Sequence, residues 1–146
     1  MATFEELRSW LLSGDVSKLT RSEETQKRYD EFMSSVTSSW RSVEDYIRHH
    51  IFDIDPQYAS CGLFTDHPGR RRVLAKNNYP YELAKDVHHY VLWSSYELTQ
   101  GMLDQSLATF LPPTDWEVLT FENPPEKKSV KHIWHIQVFA KQKSTE

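Results

Sequence analysis

The chain has 146 residues, of which 38% are hydrophobic, which is enough for one domain with a core and too few for two ordinary domains. Its 4 glycines and 7 prolines are too few for a linker-like or low-complexity protein. The formal net charge of -4 argues against a protein that binds nucleic acid mainly by neutralising phosphates, since such domains carry a basic excess.

Two capping signals open the N-terminal third. Thr3 with Glu6 forms a capping box ahead of a short helix, and Gly14 suits the end of that helix. Thr20 with Glu23 forms a second box ahead of a stretch whose apolar residues recur three or four apart. We interpret these apolar residues as a packing face: Tyr29, Phe32, Val36, Trp40, Val43 and Ile47. Serines and a threonine over 34–42 lower helix propensity, so one long helix and two helices broken near 38–42 are both compatible with the pattern.

The rest of the chain alternates turn signals with strand patterns. The segment 52–70 is interpreted as loops because it contains Pro56, Gly62, Pro68 and Gly69. A helix is predicted over 96–110, and four strands are predicted at RRRVLAKN, VHHYVLWSS, WEVLTFE and SVKHIWHIQVFAK, the last two as a hairpin. This order predicts an α+β fold with N-terminal helices packed on an antiparallel sheet. We predict one domain over 1–146, with a helical part over 1–52 and a β-rich part with one helix over 70–141.

The last predicted strand carries unusual polar side chains. Because side chains alternate along a strand, His135 and Gln137 share one face with Ile133, and His132 lies on the other. His135 and Gln137 would then stand about 7 Å apart on a rigid support, able to bind one phosphate or sugar between them. From spacing alone, a purely structural role for both residues stays open.

Zinc binding is a further alternative, because several histidines belong to the two histidine-bearing strands. The usual paired spacing, a cysteine partner and an obvious carboxylate ligand are all lacking. We therefore predict no metal and no cofactor. The histidines concerned are His88, His89, His132 and His135.

Three segments of the chain resemble a family of fungal, bacterial and viral proteins of undetermined function that includes the N-acetylglucosamine-induced proteins of yeasts. The segments are LTRSEETQKRYDEFMSSVTSSWRSVEDYI, LAKNNYPYELAKDVHHYVLWSS and ENPPEKKSVKHIWHIQVF. Gln137 stands where that family usually has a second histidine. The matching positions are Asn77, Tyr79, Pro80, Tyr81, His89, Trp93, Ser129, Val130 and His135.

The stretch NNYPY and the last strand also resemble the histidine-triad superfamily of nucleotide hydrolases, dinucleotide phosphorylases and hexose-1-phosphate uridylyltransferases. In those enzymes the middle histidine of a His-x-His-x-His or His-x-His-x-Gln strand attacks an α-phosphate. The resemblance places His135 at the middle position and Gln137 at the third, with Ile133 at the first. It implies His135, Gln137 and His89 as catalytic residues. The ligand-binding residues that it implies are Lys76, Asn77, Tyr79, Tyr81, Ser129 and His132.

The expected function is accordingly that of a nucleotide or sugar-nucleotide hydrolase or transferase acting through a strand histidine. The open alternatives are a non-catalytic module that binds or senses a nucleotide or sugar phosphate, and a protein-interaction domain. The expected partner is a small phosphate-bearing molecule and not nucleic acid or a membrane. The histidine-triad resemblance also implies a homodimer.

The expected location is cytoplasmic. Cys61 is the single cysteine and cannot form an internal disulfide. The N-terminal residues include acidic side chains and no apolar run of signal-peptide length. No stretch approaches the roughly 20 apolar residues of a membrane-spanning helix.

Overall fold

A computed structural model of the chain, which describes residues 1–52, 63–67 and 70–144, confirms the predicted α+β fold. Four α-helices occur in it: α1 Phe4–Ser13, α2 Glu23–Ser39, α3 Val43–Ile47 and α4 Gln100–Phe110. A π-helical turn, Arg48–Phe52, follows α3, and short 3-10 helices span Val16–Lys18 and Pro125–Lys127. Among the residues that the structure describes, no helix combines the length and apolar character needed to span a bilayer.

Five antiparallel strands form one sheet in the order β1-β2-β3-β5-β4. The strands are β1 Leu63–His67, β2 Arg70–Lys76, β3 His88–Ser94, β4 Trp116–Phe121 and β5 Trp134–Gln142. The predicted hairpin partners, β4 and β5, pair over Phe121↔Gln137 to Trp116↔Gln142. β5 therefore lies between β3 and β4, in the interior of the sheet.

Helices cover both faces of the sheet. On one face α4 packs through Leu103 against Leu92, Ile136 and Val138. On the other face α3 and the π-helical turn pack through Ile47 and Ile51, while α1 packs Phe4 and Leu7 against Phe139. Because side chains alternate along β5, Ile136 and Val138 lie under α4, whereas His135 and Gln137 lie on the face that the N-terminal helices cover.

Of the two alternatives left open for this stretch, two helices with a break near 38–42 are present, because α2 ends at Ser39 and α3 begins at Val43. The predicted Thr20 cap is wrong. Ser22 caps α2 by accepting a hydrogen bond from the amide of Thr25. Thr20 lies two residues before this cap, and its carbonyl accepts a hydrogen bond from the amide of Glu82 instead.

Two strand predictions also need correction. Residues 63–67, expected to be loop, form β1 at the edge of the sheet, while Pro56, Cys61, Gly62, Pro68 and Gly69 lie outside the described residues. β5 begins at Trp134 and not at Ser129. Residues 131 and 132 do not join the sheet, because the amides of Lys131 and His132 donate to Glu44 Oε2 on α3 at 3.1 and 3.4 Å.

A buried arginine fastens α4 to the sheet. Arg72 on β2 is 2% exposed. Its guanidinium donates to the Tyr96 hydroxyl at 2.6 Å, and to Gln105 Oε1 and Ser106 Oγ of α4 at 3.1 Å each. Ser106 is buried, and a buried acceptor that loses its donor keeps its full desolvation cost, so Ser106 Oγ depends most on Arg72.

We expect Arg72→Met to lower the free energy of unfolding by about 3 kcal/mol, because methionine fills similar space but cannot donate to Tyr96, Gln105 and the buried Ser106. Urea denaturation followed by tryptophan fluorescence measures this loss. Arg41→Met is the matched control, since Arg41 is exposed, and it should change stability by less than about 0.5 kcal/mol. Equal midpoints for the two variants would show that Arg72 does not hold α4.

Candidate functional site

A cavity of about 500 Å³ lies between α2, α3 and the sheet face that those helices cover. Its floor includes Val91 and Trp93 of β3, and His135 and Gln137 of β5. This volume is in the range of pockets that hold small-molecule ligands. We refer to it as the first cavity.

The first cavity is positively charged in an acidic protein. Four cationic side chains line it, Arg21, Lys76, Lys127 and Lys128. No aspartate or glutamate appears among the lining residues that the structure describes, although the whole chain carries a net charge of -4. A concave surface lined by one sign of charge concentrates ligands of the opposite sign, so this cavity favours an anion.

His135 presents a defined ring nitrogen to the first cavity. Its Nδ1 lies 2.9 Å from the carbonyl oxygen of Ile133. A carbonyl only accepts, so Nδ1 carries the proton and the neutral ring keeps its lone pair on Nε2. The ring stacks on Trp93 with centroids 4.8 Å apart, which fixes its plane.

The lone pair of His135 Nε2 is open to the cavity. No described residue bonds this atom, and no buried side-chain nitrogen or oxygen of the described residues lacks a partner. Burial lowers the pKa of His135, and the positive charge of Lys128 lowers it further. His135 is therefore neutral at physiological pH, which is the form that can act as a nucleophile or accept a proton.

Gln137 presents its NH₂ group to the same space. Its Oε1 is held by His89 Nε2 at 2.7 Å and by Asn77 Nδ2 at 3.5 Å. With the oxygen occupied, the amide nitrogen is the end left for a ligand, and it can donate two hydrogen bonds. Gln137 therefore offers donors to an anionic ligand and offers it no acceptor.

His89 lies behind Gln137 and does not line the first cavity. The amide of Tyr81 donates to His89 Nδ1 at 3.2 Å, so the proton of the neutral ring is on Nε2 and points at Gln137. Burial lowers the pKa of His89 to about 4. The hydrogen bond from His89 Nε2 thus orients the Gln137 carboxamide, and the catalytic role that the resemblance implies for His89 stays a prediction.

The turn that follows β2 is built around Asn77. Asn77 Oδ1 accepts a hydrogen bond from the amide of Tyr79 at 2.8 Å, which is the geometry of an Asx turn. Arg21 Nε donates to the carbonyl of Tyr79 at 2.7 Å and its guanidinium stacks 4.2 Å above the Tyr29 ring. Arg21 therefore joins the turn to α2 and adds a cation to the cavity wall.

An aromatic wall faces the imidazole side of the first cavity. Tyr79 contacts Tyr29 and Phe32 with ring centroids 5.5 and 5.2 Å apart, and Phe32 contacts Tyr46 at 5.3 Å. All four rings line the cavity and are half-buried. Aromatic faces of this kind can stack on a nucleobase or a sugar ring.

The structure brings most of the predicted site residues together. His135, Gln137, Lys76, Asn77, Tyr79, Tyr81 and Ser129 all line the first cavity. Ser129 Oγ accepts a hydrogen bond from the Tyr29 hydroxyl, which ties the loop before β5 to α2. His132 does not reach this cavity and lines a second one. Within residues 1–52, 63–67 and 70–144, no group of three His, Cys, Asp or Glu side chains is arranged to hold a metal ion.

Sequence reasoning missed several lining residues. Arg21 lies in a segment that was assigned only to a helix start, and Tyr29 and Phe32 were assigned to packing. Lys127 and Lys128, which also line the cavity, are not singled out by the sequence analysis. The one signal that could have found them is the clustering of Lys127 and Lys128 directly before the histidine strand.

Comparison with known proteins gives a family and a fold. A family model described as "Protein of unknown function (DUF3605)" matches residues 3–109, and the chain belongs to this family. The matched region contains Asn77 and His89 and ends before β4 and β5. A solved structure titled "Crystal Structure of HTC1" aligns with a TM-score of 0.67 and 20% identity, covering 97% of this chain and 85% of that chain, and so shares the fold. No curated protein matches the sequence.

We expect the free energy of unfolding to fall as the pH decreases from about 6.5 to about 4, because His89 stays neutral in the folded protein over this range and protonates in the unfolded chain. The ordinary pKa is 6.5 and the folded value is about 4, so the unfolded chain binds more protons between these values. The contribution of His89 is complete above pH 6.5 and is lost towards pH 4, by about 3 kcal/mol in total. Urea denaturation at several pH values checks this.

His89→Leu should be less stable than the unsubstituted protein at neutral pH and should lose most of that pH dependence, with a smaller part remaining from His135. His88→Leu is the matched control because His88 is the exposed neighbour on the opposite face of β3. A pH dependence in His89→Leu as steep as in the unsubstituted protein would contradict a buried neutral His89.

Proposed function

We propose that this member of the DUF3605 family is a hydrolase or transferase of nucleotides or sugar nucleotides, in which His135 is the covalent nucleophile. The observation that carries the proposal is the 2.9 Å hydrogen bond between His135 Nδ1 and the Ile133 carbonyl. It directs the lone pair of Nε2 into a cavity lined by four cationic side chains.

The reaction uses groups that already face one another. The Nε2 lone pair attacks the phosphorus of a bound phosphoric anhydride, and the bond from phosphorus to the leaving oxygen breaks with its electron pair. The leaving group takes a proton from water or from a cationic side chain of the cavity. Water or an acceptor hydroxyl then attacks the phosphorus, and the phosphorus–nitrogen bond breaks with its electron pair on Nε2. The proton of the attacking group passes to solvent or to the cationic side chain that gave one up, so neutral His135 is restored.

Charge on the transferring phosphoryl group needs donors that are already in place. The NH₂ group of Gln137 is fixed by the bonds of its oxygen to His89 and Asn77. Lys76, Lys127 and Arg21 add positive charge along the cavity. The geometry supports binding of a phosphate by side chains, without a glycine-rich loop.

Two resemblances support the same assignment. The NNYPY stretch and the last strand resemble the histidine-triad superfamily, in which glutamine also occupies the third position of the strand. The N-acetylglucosamine-induced proteins suggest a sugar nucleotide among the candidate substrates.

The homodimer that the histidine-triad resemblance implies would form at an open sheet edge, and β1 and β4 are the edges of this sheet. We place the enzyme in the cytoplasm on the strength of its single cysteine.

Binding without turnover is the second candidate function. It is favoured by Ile133, which stands at the first triad position and is buried in the core. His135 is then the one imidazole among the described residues that line the first cavity. The same donors would bind a nucleotide or sugar phosphate without transferring it.

We expect His135→Asn to lower kcat/KM for nucleotide or sugar-nucleotide hydrolysis by about a thousandfold or more, because it removes the nucleophile. Asparagine keeps a donor for the Ile133 carbonyl, so the fold and the ligand affinity should be retained. Formation of AMP from ADP and of UMP from UDP-N-acetylglucosamine, separated by chromatography, measures turnover, and calorimetry measures affinity.

His88→Asn is the matched control, since it removes an exposed imidazole from β3, and it should keep full activity. Equal turnover by His135→Asn and His88→Asn would rule out the nucleophile. Binding by the unsubstituted protein with no turnover of any nucleotide would establish the second candidate instead.

We expect Gln137→Glu to weaken phosphate-ligand affinity by about tenfold or more, because a carboxylate oxygen replaces the NH₂ group that faces the anion. His89 Nε2 can still donate to the other carboxylate oxygen, so the fold should persist. Gln142→Glu adds the same charge at an exposed position of the same strand and should bind normally. Calorimetric titration with ADP compares them, and unchanged affinity in Gln137→Glu would show that Gln137 does not touch the ligand.

A further inference from the structure

A second cavity, of about 740 Å³, lies where the ends of β2, β3 and β5 meet the π-helical turn. Its described lining shares only Lys128 with that of the first cavity.

Positive charge dominates the second cavity as well. Arg48, Arg71, Lys128 and Lys131 line it, and Glu97 is the one carboxylate among its described lining residues. Arg71 is held in the wall because its guanidinium donates to the carbonyl of Phe52. Aromatic side chains are interleaved with these cations: Phe52, Tyr96 and Trp134. This combination of cations and rings is typical of surfaces that bind phosphate-bearing ligands.

Lys128 links the two cavities, since it lines both of them. Its Nζ lies 2.8 Å from Glu122 Oε1, and its side chain is 19% exposed, so the ammonium is held at the boundary. The loop that separates the cavities is held in turn by Glu44, whose Oε2 accepts the amides of Lys131 and His132. That carboxylate is therefore occupied by backbone donors.

We propose that the second cavity is an anion-binding subsite for the terminal phosphates of an extended ligand whose reacting phosphate lies beside His135. The claim of a single extended ligand rests on the proposed function, whereas the cationic subsite itself does not. The ligand class is a polyphosphate ester, long enough to pass Lys128 and to place negative charge between Arg48 and Lys131.

The test compares the affinities of three probes by calorimetry: AMP, adenosine 5′-tetraphosphate and inorganic tripolyphosphate. The test variant is the double substitution Arg48→Gln with Lys131→Gln. Both residues are exposed, and the ion pair between Arg48 and Asp45, three residues apart, is of the weak surface kind, so the variant should fold. Lys85→Gln is the matched control, because Lys85 is exposed and lines neither cavity.

We expect the unsubstituted protein to bind the tetraphosphate at least about tenfold more tightly than AMP, and the double variant to lose about that factor. AMP affinity should be the same in both proteins, and Lys85→Gln should leave all affinities unchanged. Tetraphosphate binding that is equal in the double variant and in the unsubstituted protein would overturn the subsite.

The two proposals fail in different ways. Absence of AMP binding to the unsubstituted protein would overturn a phosphate site in the first cavity. Tripolyphosphate binding that depends on Arg48 and Lys131 would still support the subsite in that case. Absence of tripolyphosphate binding would overturn the subsite, whatever AMP does.

Discussion

The hydrogen bond from His135 Nδ1 to the Ile133 carbonyl determines what this site can do. Without this hydrogen bond, the ring could present Nε2 to the cavity as a lone pair, as an N–H group or as part of a cation. A lone pair can attack a phosphorus atom, whereas an N–H group or a cation can only bind the anion. Here the backbone accepts the Nδ1 proton and burial lowers the pKa of the ring. A neutral lone pair is therefore the form of His135 that the cavity receives.

A second histidine, His89, has its tautomer fixed by the backbone in the same way. The Tyr81 amide fixes the tautomer of His89, and His89 in turn fixes the orientation of the Gln137 carboxamide. β5 is paired with β3 at both His135 and Gln137, and with β4 at Gln137 as well. The cations come from elsewhere in the chain: Arg21 precedes α2, Lys76 ends β2, and Lys127 and Lys128 belong to the loop before β5. The fold thus brings oriented polar groups and cationic side chains from distant parts of the chain to one cavity.

Local signals in the sequence were sufficient for the fold class and for the faces of β5. The Thr3 capping box set the start of α1, and strand alternation put His135 and Gln137 on one face. Contacts between distant residues were not predictable in this way. Glu44 shortens β5 through a residue 87 positions later, and Arg21 reaches Tyr79 across 58 positions. Likewise, the spacing of three or four residues shows that Tyr29 and Phe32 lie on the inner face of a helix. It does not show whether that face packs into a core or lines a cavity.

The most direct test is a long-range ¹⁵N–¹H correlation spectrum of the histidine-labelled protein at neutral pH, with His135→Asn used to assign the signals of His135. We expect Nδ1 of His135 to resonate as a protonated nitrogen and Nε2 as an unprotonated nitrogen, and we expect the Nε2 signal to move when inorganic phosphate is added. A proton on Nε2, or a ring that is charged at neutral pH, would contradict the account, because no lone pair would then face the cavity.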